Sequence, residues 1–306
     1  MSRRLPRYPV YVISKGRAEP GLTARFLDRD RVPFRLVVEP TERDEYAARF
    51  GAARLHVLPF HDLGQGSIPA RNWVWEHARA SGAARHWILD DNIVEIYRRL
   101  HGERVRCPAG PALALAEDFA DRYVNVAILG LNYYSFAFAA ELPPFYLNHH
   151  VYSCLLLDNA LAPRWRGRYN EDTDLCLQVL ARGLCTVLLN AVVIDKEGTM
   201  TNKGGNTTTL YQHDGRLKMA RALERVWPRV VTVGRRFARP QHVVAHAWRR
   251  FDTPLIPRPD LIRPVGHDEY GMTLRARRDV ADAHLRRLLG EAVPPRALTL
   301  AGASGG

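Results

Sequence analysis

The strongest constraint on this chain is the regular alternation, over its first ninety residues, of short apolar runs with amphipathic stretches. The apolar runs lie at 10–13, 34–38, 56–58 and 86–89, and helical patterns at 21–28, 42–50 and 70–80 separate them. Strands joined by helices cannot pair as hairpins. They make βαβ crossovers, hence a mostly parallel sheet with helices packed on its faces, a three-layer α/β arrangement of Rossmann type. In such a sheet ligands bind beyond the carboxyl ends of the strands. The residues following each run are therefore the informative ones. They are Ser14-Lys15-Gly16-Arg17, Glu39-Pro40, a loop leading to Arg71-Asn72, and Asp90-Asp91-Asn92.

Two of these sites concentrate acid. The run His86-Trp87-Ile88-Leu89 ends in Asp90, Asp91 and Asn92, a set of hard oxygen donors suited to Mg²⁺ or Mn²⁺ carrying a diphosphate. A turn or helix cap explains one aspartate there more easily than two. Further on, Asn170-Glu171-Asp172-Thr173-Asp174-Leu175 opens a helical pattern closed by Gly183 and followed by a buried strand at 186–194. Acids at a helix start favour the macrodipole, yet three in four residues exceed that need. One of them at the mouth of a crevice suits a general base.

The 306 residues, 46% hydrophobic and 25% charged, suffice for one large domain or two modest ones and exclude a disordered, collagen-like or coiled-coil chain. The formal charge of +12 rests on forty arginines and only four lysines. It points to an anionic partner, because the guanidinium fork grips two phosphate oxygens at once, with a codon bias as the competing source. The four cysteines lie too far apart for a C-x-x-C pair, and the basic start carries no apolar run. The expectation is a soluble, cytoplasmic protein with no membrane segment. The body is expected over 1–250, and 251–306 as a Pro-rich linker, a surface helix at 275–292 and a tail.

An acidic strand end followed about 80 residues later by an acidic helix start resembles the nucleotide-sugar glycosyltransferases of the A-type fold. EDTDLCLQVLARGL is similar to that family's base-bearing motif, and Asn92 stands where its metal motif carries a final aspartate. More narrowly, YVISKGRA, PARNWVWEHA, WILDDNI, LNHHVYSCLLLDN and RYNEDTDLCLQVL resemble the phage-type glycosyltransferases associated with TET-like DNA oxygenases, over roughly residues 8–215. The resemblance implies transfer of a sugar from a nucleotide-sugar donor, expected to be a UDP-sugar, to the hydroxymethyl group of 5-hydroxymethylcytosine or 5-hydroxymethyluracil in DNA. Carried over, it assigns Ser14, Lys15 and Arg17 to the nucleotide and its diphosphate, and Glu39 to the base or ribose. Arg71 and Asn72 would approach the sugar or second phosphate, and Asp90, Asp91 and Asn92 the ribose and a Mn²⁺ or Mg²⁺ ion. Asp172 is the expected base and Glu171 the second candidate, with Asp174 a helix-start residue.

Three further segments have readings of their own. Residues 196–206, rich in Gly, Thr and Lys, suit either a lid whose Lys203 meets the leaving diphosphate or a plain solvated turn. His213 falls where such enzymes place another metal ligand, although a lone histidine is more often structural. Arg164-Trp165-Arg166-Gly167-Arg168 abuts the acidic motif and suits DNA, guanidinium groups holding phosphates while a ring stacks on a base. No dinucleotide fingerprint, P-loop or nucleophile elbow occurs. The rivals are a glycosyltransferase acting on a glycan or protein and a non-catalytic DNA-binding protein on the same scaffold.

Overall fold

A computed structural model describes residues 4–100, 103–137, 142–167, 169–197, 215–236, 239–244 and 250–261. The first half follows the alternation of the sequence: β1 (Val10–Ile13), α1 (Leu22–Arg29), β2 (Arg35–Val38), α2 (Arg43–Phe50), β3 (Leu55–Val57), α3 (Ile68–Ala80) and β4 (Arg85–Asp90). Helix α1 begins one residue later than expected because Gly21 sits at φ 45°, outside the helix, where a Cβ would also meet Phe50 Cζ at 2.4 Å.

The region between the two acidic motifs adds β5 (Ile93–Leu100), β6 (Glu103–Arg106), α4 (Ala109–Asp121), β7 (Val126–Tyr133), β8 (Phe145–Leu147) and β9 (Cys154–Asp158). Then come α5 (Glu171–Leu180), β10 (Cys185–Lys196), α6 (Gly215–Val226), β11 (Thr232–Arg236) and β12 (Arg239–Val243).

Ten strands form one sheet in the order β3-β2-β1-β4-β9-β7-β10-β5-β6, with β8 also paired to β10. Seven run in one direction, and β5, β8 and β9 oppose them. The sheet is thus mostly parallel in strand direction, and the strand order reverses between β1 and β4, the topological switch point where a crevice opens. Alternate residues face opposite layers. Tyr11, Val37 and Ile88 join Val74 and Trp75 of α3 and Cys176 and Val179 of α5 in one apolar cluster. On the other face Trp87 Nε1 donates to buried Glu117 of α4 at 2.9 Å. Asp30, at the end of α1, accepts from the first amide of α4 at 2.8 Å.

The segment expected to begin a linker at 251 is tied to the body. Asn125 donates to Pro254 O at 2.8 Å, Ile256 N donates to Asn125 Oδ1 at 2.9 Å, and Val124 N donates to Ile256 O at 2.9 Å. Exposed Pro-rich chain and Pro-rich chain docked on the body beside the start of β7 look alike in sequence, and these hydrogen bonds make the difference. The compact unit runs to Leu261, and the helix expected at 275–292 lies outside the described residues. All four cysteines are free, three of them buried. No helix among the described residues is long and apolar enough to cross a membrane.

Candidate active site

One cavity of about 750 Å³ opens at the carboxyl ends of β1, β2 and β4, and both acidic motifs face it. The turn after β4 is fixed from beneath. Thr23 of α1 donates its hydroxyl to Asp90 O at 2.7 Å and accepts from Ile93 N at 2.9 Å. Asp90–Asn92 therefore cross from β4 to β5, two strands that do not pair with each other, as a rigid acidic rim.

On one side of that rim lie cations from the first βα loop. Arg17 Nη1 pairs with Asp91 Oδ1 at 2.6 Å, and Ser14 donates to Asp91 Oδ2 at 2.7 Å. Burial raises the Asp91 carboxyl above its ordinary value, and Arg17 and Ser14 only partly offset it. Lys15 Nζ bridges Glu39 Oε2 at 2.7 Å and Asp62 Oδ1 at 2.6 Å. Phe60, Leu63, Gly64 and Gly66 of the β3–α3 loop complete this wall.

On the other side Asp90 is held between two cations. Its Oδ1 accepts from Arg71 Nη2 at 3.1 Å, and its Oδ2 pairs with Lys196 Nζ at 3.2 Å. Burial alone would raise Asp90; Lys196 and Arg71 outweigh it and hold the carboxyl below its usual range. Lys196 also donates to Ser153 Oγ at 3.0 Å and Tyr133 Oη at 3.3 Å. Arg71 lies 4.6 Å over the Trp165 ring and bonds Ser67 Oγ at 3.1 Å, while its buried Nη1 has no partner in the protein.

Helix α5 presents its acids from Asn170, which sits in the left-handed region at φ 54°. Glu171 Oε1 accepts from Ser67 Oγ at 3.0 Å, with Arg71 Nε 3.8 Å away. Asp172 Oδ2 stands 3.4 Å from His150 Nε2. Burial pushes Glu171 up despite Arg71. It opposes ionisation of Asp172 as well, but the neighbouring His150 prevails and holds that carboxyl far below its usual value. The two adjacent carboxyl groups are thus driven in opposite directions. Asp174 turns away from the cavity and binds Arg166, Gln178 and Trp227.

The acidic rim does not fit a divalent ion. Each oxygen of Asp90 and Asp91 already accepts from Arg71, Lys196, Arg17 or Ser14, and the Asn92 amide donates to Glu197 O at 3.1 Å. Two carboxylates sharing a cation would leave oxygens converging on one point; these diverge onto protein cations. No group of three or more metal-binding side chains occurs among the described residues.

Of the residues expected at the donor, Ser14, Lys15, Arg17, Glu39, Arg71, Asp90, Asp91 and Asn92 line the cavity with Glu171 and Asp172. Asn72 does not; it exchanges hydrogen bonds with the Trp165 backbone at 2.8 and 3.1 Å and clamps that loop to α3. The basic segment before α5 also differs from expectation. Trp165 is 2% exposed and packs edge-on to Trp75, so its ring presents no face to a base. Arg164 pairs with Glu76 at 3.0 Å, and Arg166 grips Asp174 through two nitrogens at 2.9 and 3.1 Å. Adjacent charge in sequence read as a phosphate grip, whereas in the fold Arg164 pairs with the exposed Glu76 and nearby carbonyls and Arg166 with the buried Asp174. Arg168, Lys203 and His213 lie outside the described residues.

Sequence reasoning gave no role to Tyr133, His150 or Ser153, although His150 and Ser153 lie within the LNHHVYSCLLLDN stretch that carries the family resemblance. Lys196 had a local signal: it ends a buried strand, as Asp90 does.

A sheet of this order, with an acidic turn after its fourth strand and an acidic helix start facing one cavity lined by both acids and cations, is the arrangement that the glycosyltransferase resemblance of the sequence implies. Residues 8–205, well over half of the sequence, match the family described as TET-Associated Glycosyltransferase, and the chain belongs to that family. No curated protein matches it. Among solved structures that match, a candidate nucleotide-diphospho-sugar transferase from Desulfovibrio desulfuricans G20 is 11% identical over 62% of this chain and 80% of that one, with a TM-score of 0.34. That likeness is too distant to bear on the site.

Proposed function

We propose that the protein transfers a sugar from a nucleotide-sugar donor to the hydroxymethyl oxygen of a 5-hydroxymethylpyrimidine in DNA. The observation that carries the reading is the meeting, in one cavity, of an anionic Asp172 with the cationic groups Lys15, Arg17, Arg71 and Lys196. The family's association with TET-type oxygenases, which leave a hydroxymethyl group on a pyrimidine, supports the acceptor.

The step is one displacement at the anomeric carbon. The acceptor oxygen forms the new C–O bond while the bond to the diphosphate breaks and its electron pair leaves with the diphosphate. The hydroxyl becomes strongly acidic only as that bond forms, so a carboxylate as weakly basic as Asp172 suffices to take its proton. Charge gathering on the leaving diphosphate is met by the ammonium and guanidinium groups along the rim. Their cost of organisation is already met in the folded state, where each is held by a carboxylate.

The test is to incubate the protein with 5-hydroxymethylcytosine DNA and a panel of nucleotide sugars, then digest the DNA and weigh the nucleosides. A hexose-sized mass gain with one donor is expected, and its loss in Asp172→Asn with DNA and donor binding retained. No gain with any donor, on hydroxymethylcytosine or hydroxymethyluracil, overturns the acceptor. Undiminished turnover by Asp172→Asn overturns the base.

A further inference from the structure

With Trp165 buried, a base brought to Asp172 needs another ring to rest on, and the structure holds one continuous aromatic path leading out of the cavity. His150, beside Asp172, lies 4.9 Å from the Tyr152 ring, and Tyr152 lies 4.3 Å from Tyr133 on the cavity wall. Both then meet Phe136, 5.4 Å from Tyr133 and edge-on to Tyr152 at 6.5 Å. Phe136 is 56% exposed, the most exposed large apolar side chain among the described residues. Single exposed apolar side chains are ordinary. This one differs because its ring packs on Tyr133, which lines the cavity.

We infer that Phe136 and Tyr152 form the stacking wall for the acceptor pyrimidine, held out of its duplex. The inference rests on the DNA-base reading above and names where that base sits. A hydroxymethyl oxygen inside a stacked duplex cannot reach a carboxylate recessed at a helix start, so the nucleotide must swing out. An extruded pyrimidine offers two bare π faces, and aromatic side chains are the group that takes them without regard to sequence. At the base of the same turn, Arg104 donates to Tyr134 O at 2.8 Å and stacks over the Tyr134 ring at 3.7 Å.

The experiment compares wild type, Phe136→Ala and Phe136→Trp on an oligonucleotide with a single 5-hydroxymethylcytosine, in duplex and single-stranded form. Removing one stacking ring raises KM for the DNA by roughly 10- to 100-fold on both forms. Phe136→Trp restores KM to within a few fold of wild type. The melting midpoint of Phe136→Ala and its increase on adding UDP stay those of wild type, which separates a lost acceptor wall from misfolding. If wild type transfers sugar and Phe136→Ala keeps its KM within twofold, the wall is overturned and the DNA reading stands. If wild type transfers to no hydroxymethylated DNA, both fall together. A Phe136→Ala loss that Trp does not rescue also overturns stacking, in favour of a purely structural ring.

Discussion

Lys196 offers the sharpest test of how this site handles charge, because one side chain links the acidic rim to the β7–β9 wall. Lys196→Met keeps the length and apolar stem while deleting the ammonium group. Its side chain is 11% exposed, and breaking a buried pair by removing one partner costs about 3–5 kcal/mol. Asp90 keeps Arg71 on Oδ1 and some contact with water, so the loss should be nearer 2 kcal/mol, a fall of about 4–8 °C in melting midpoint.

The same pair sets a pH signature. Asp90 is held below its ordinary value by Lys196 and Arg71 against the opposing effect of burial, so its stabilisation is present above the unfolded-state value near 4. It disappears as pH falls through the depressed folded value. The stability gap between wild type and Lys196→Met, read by urea unfolding, should therefore be constant from pH 7 to about 5 and close at lower pH. In turnover the loss of one charge from the leaving-group side should lower kcat by about 10²–10³. Wild-type turnover should survive EDTA, since the rim's carboxylate oxygens are already taken by protein cations. Lys196→Met turning over within threefold of wild type, or EDTA abolishing wild-type turnover, refutes the reasoning.

Two other perturbations have defined outcomes. Burial lowers His86 to about 4, so the folded protein keeps it neutral while the unfolded chain protonates near 6.5. Its contribution is intact above pH 6.5 and lost on descending to about 4, by roughly 3 kcal/mol. Urea titrations of His86→Gln should show that much less decline over the window; equal declines would remove His86 as the cause. Arg166→Ala should lower stability by about 1 kcal/mol by freeing Asp174, whose side chain is 5% exposed, from its two-point grip. The slope of log affinity for DNA against log salt should not change; a decrease near one unit would return Arg166 to the DNA interface.

The strand-end wall of the cavity was legible because it obeys a local rule. Ser14, Lys15, Glu39, Asp90 and Asp91 each follow directly on an apolar run, and parallel βα topology delivers every strand end to one rim. Asp172 was legible for a similar reason, since helix α5 begins where its acids begin. The β7–β9 side was not. Phe136, His150, Tyr152 and Ser153 lie on and between strands β7, β8 and β9, where antiparallel pairings bring distant segments together. Trp165 shows the converse failure: aromatic and basic neighbours in sequence suggested an exposed grip, and packing against Trp75 consumed the ring.

The sequence by itself determined the βα alternation, the acidic strand end, the acidic helix start and the excess of arginine, because periodicity and adjacency are properties of a one-dimensional string. Only the tertiary structure decided which charges find each other. Lys196 and Asp90 are 106 residues apart in sequence, and Arg71 and Glu171, which meet at 3.8 Å, come from separate helices. Whether a carboxylate meets a metal or an ammonium, and whether a ring meets solvent or a core, depends on distances of a few ångströms that the fold sets and the order of residues does not.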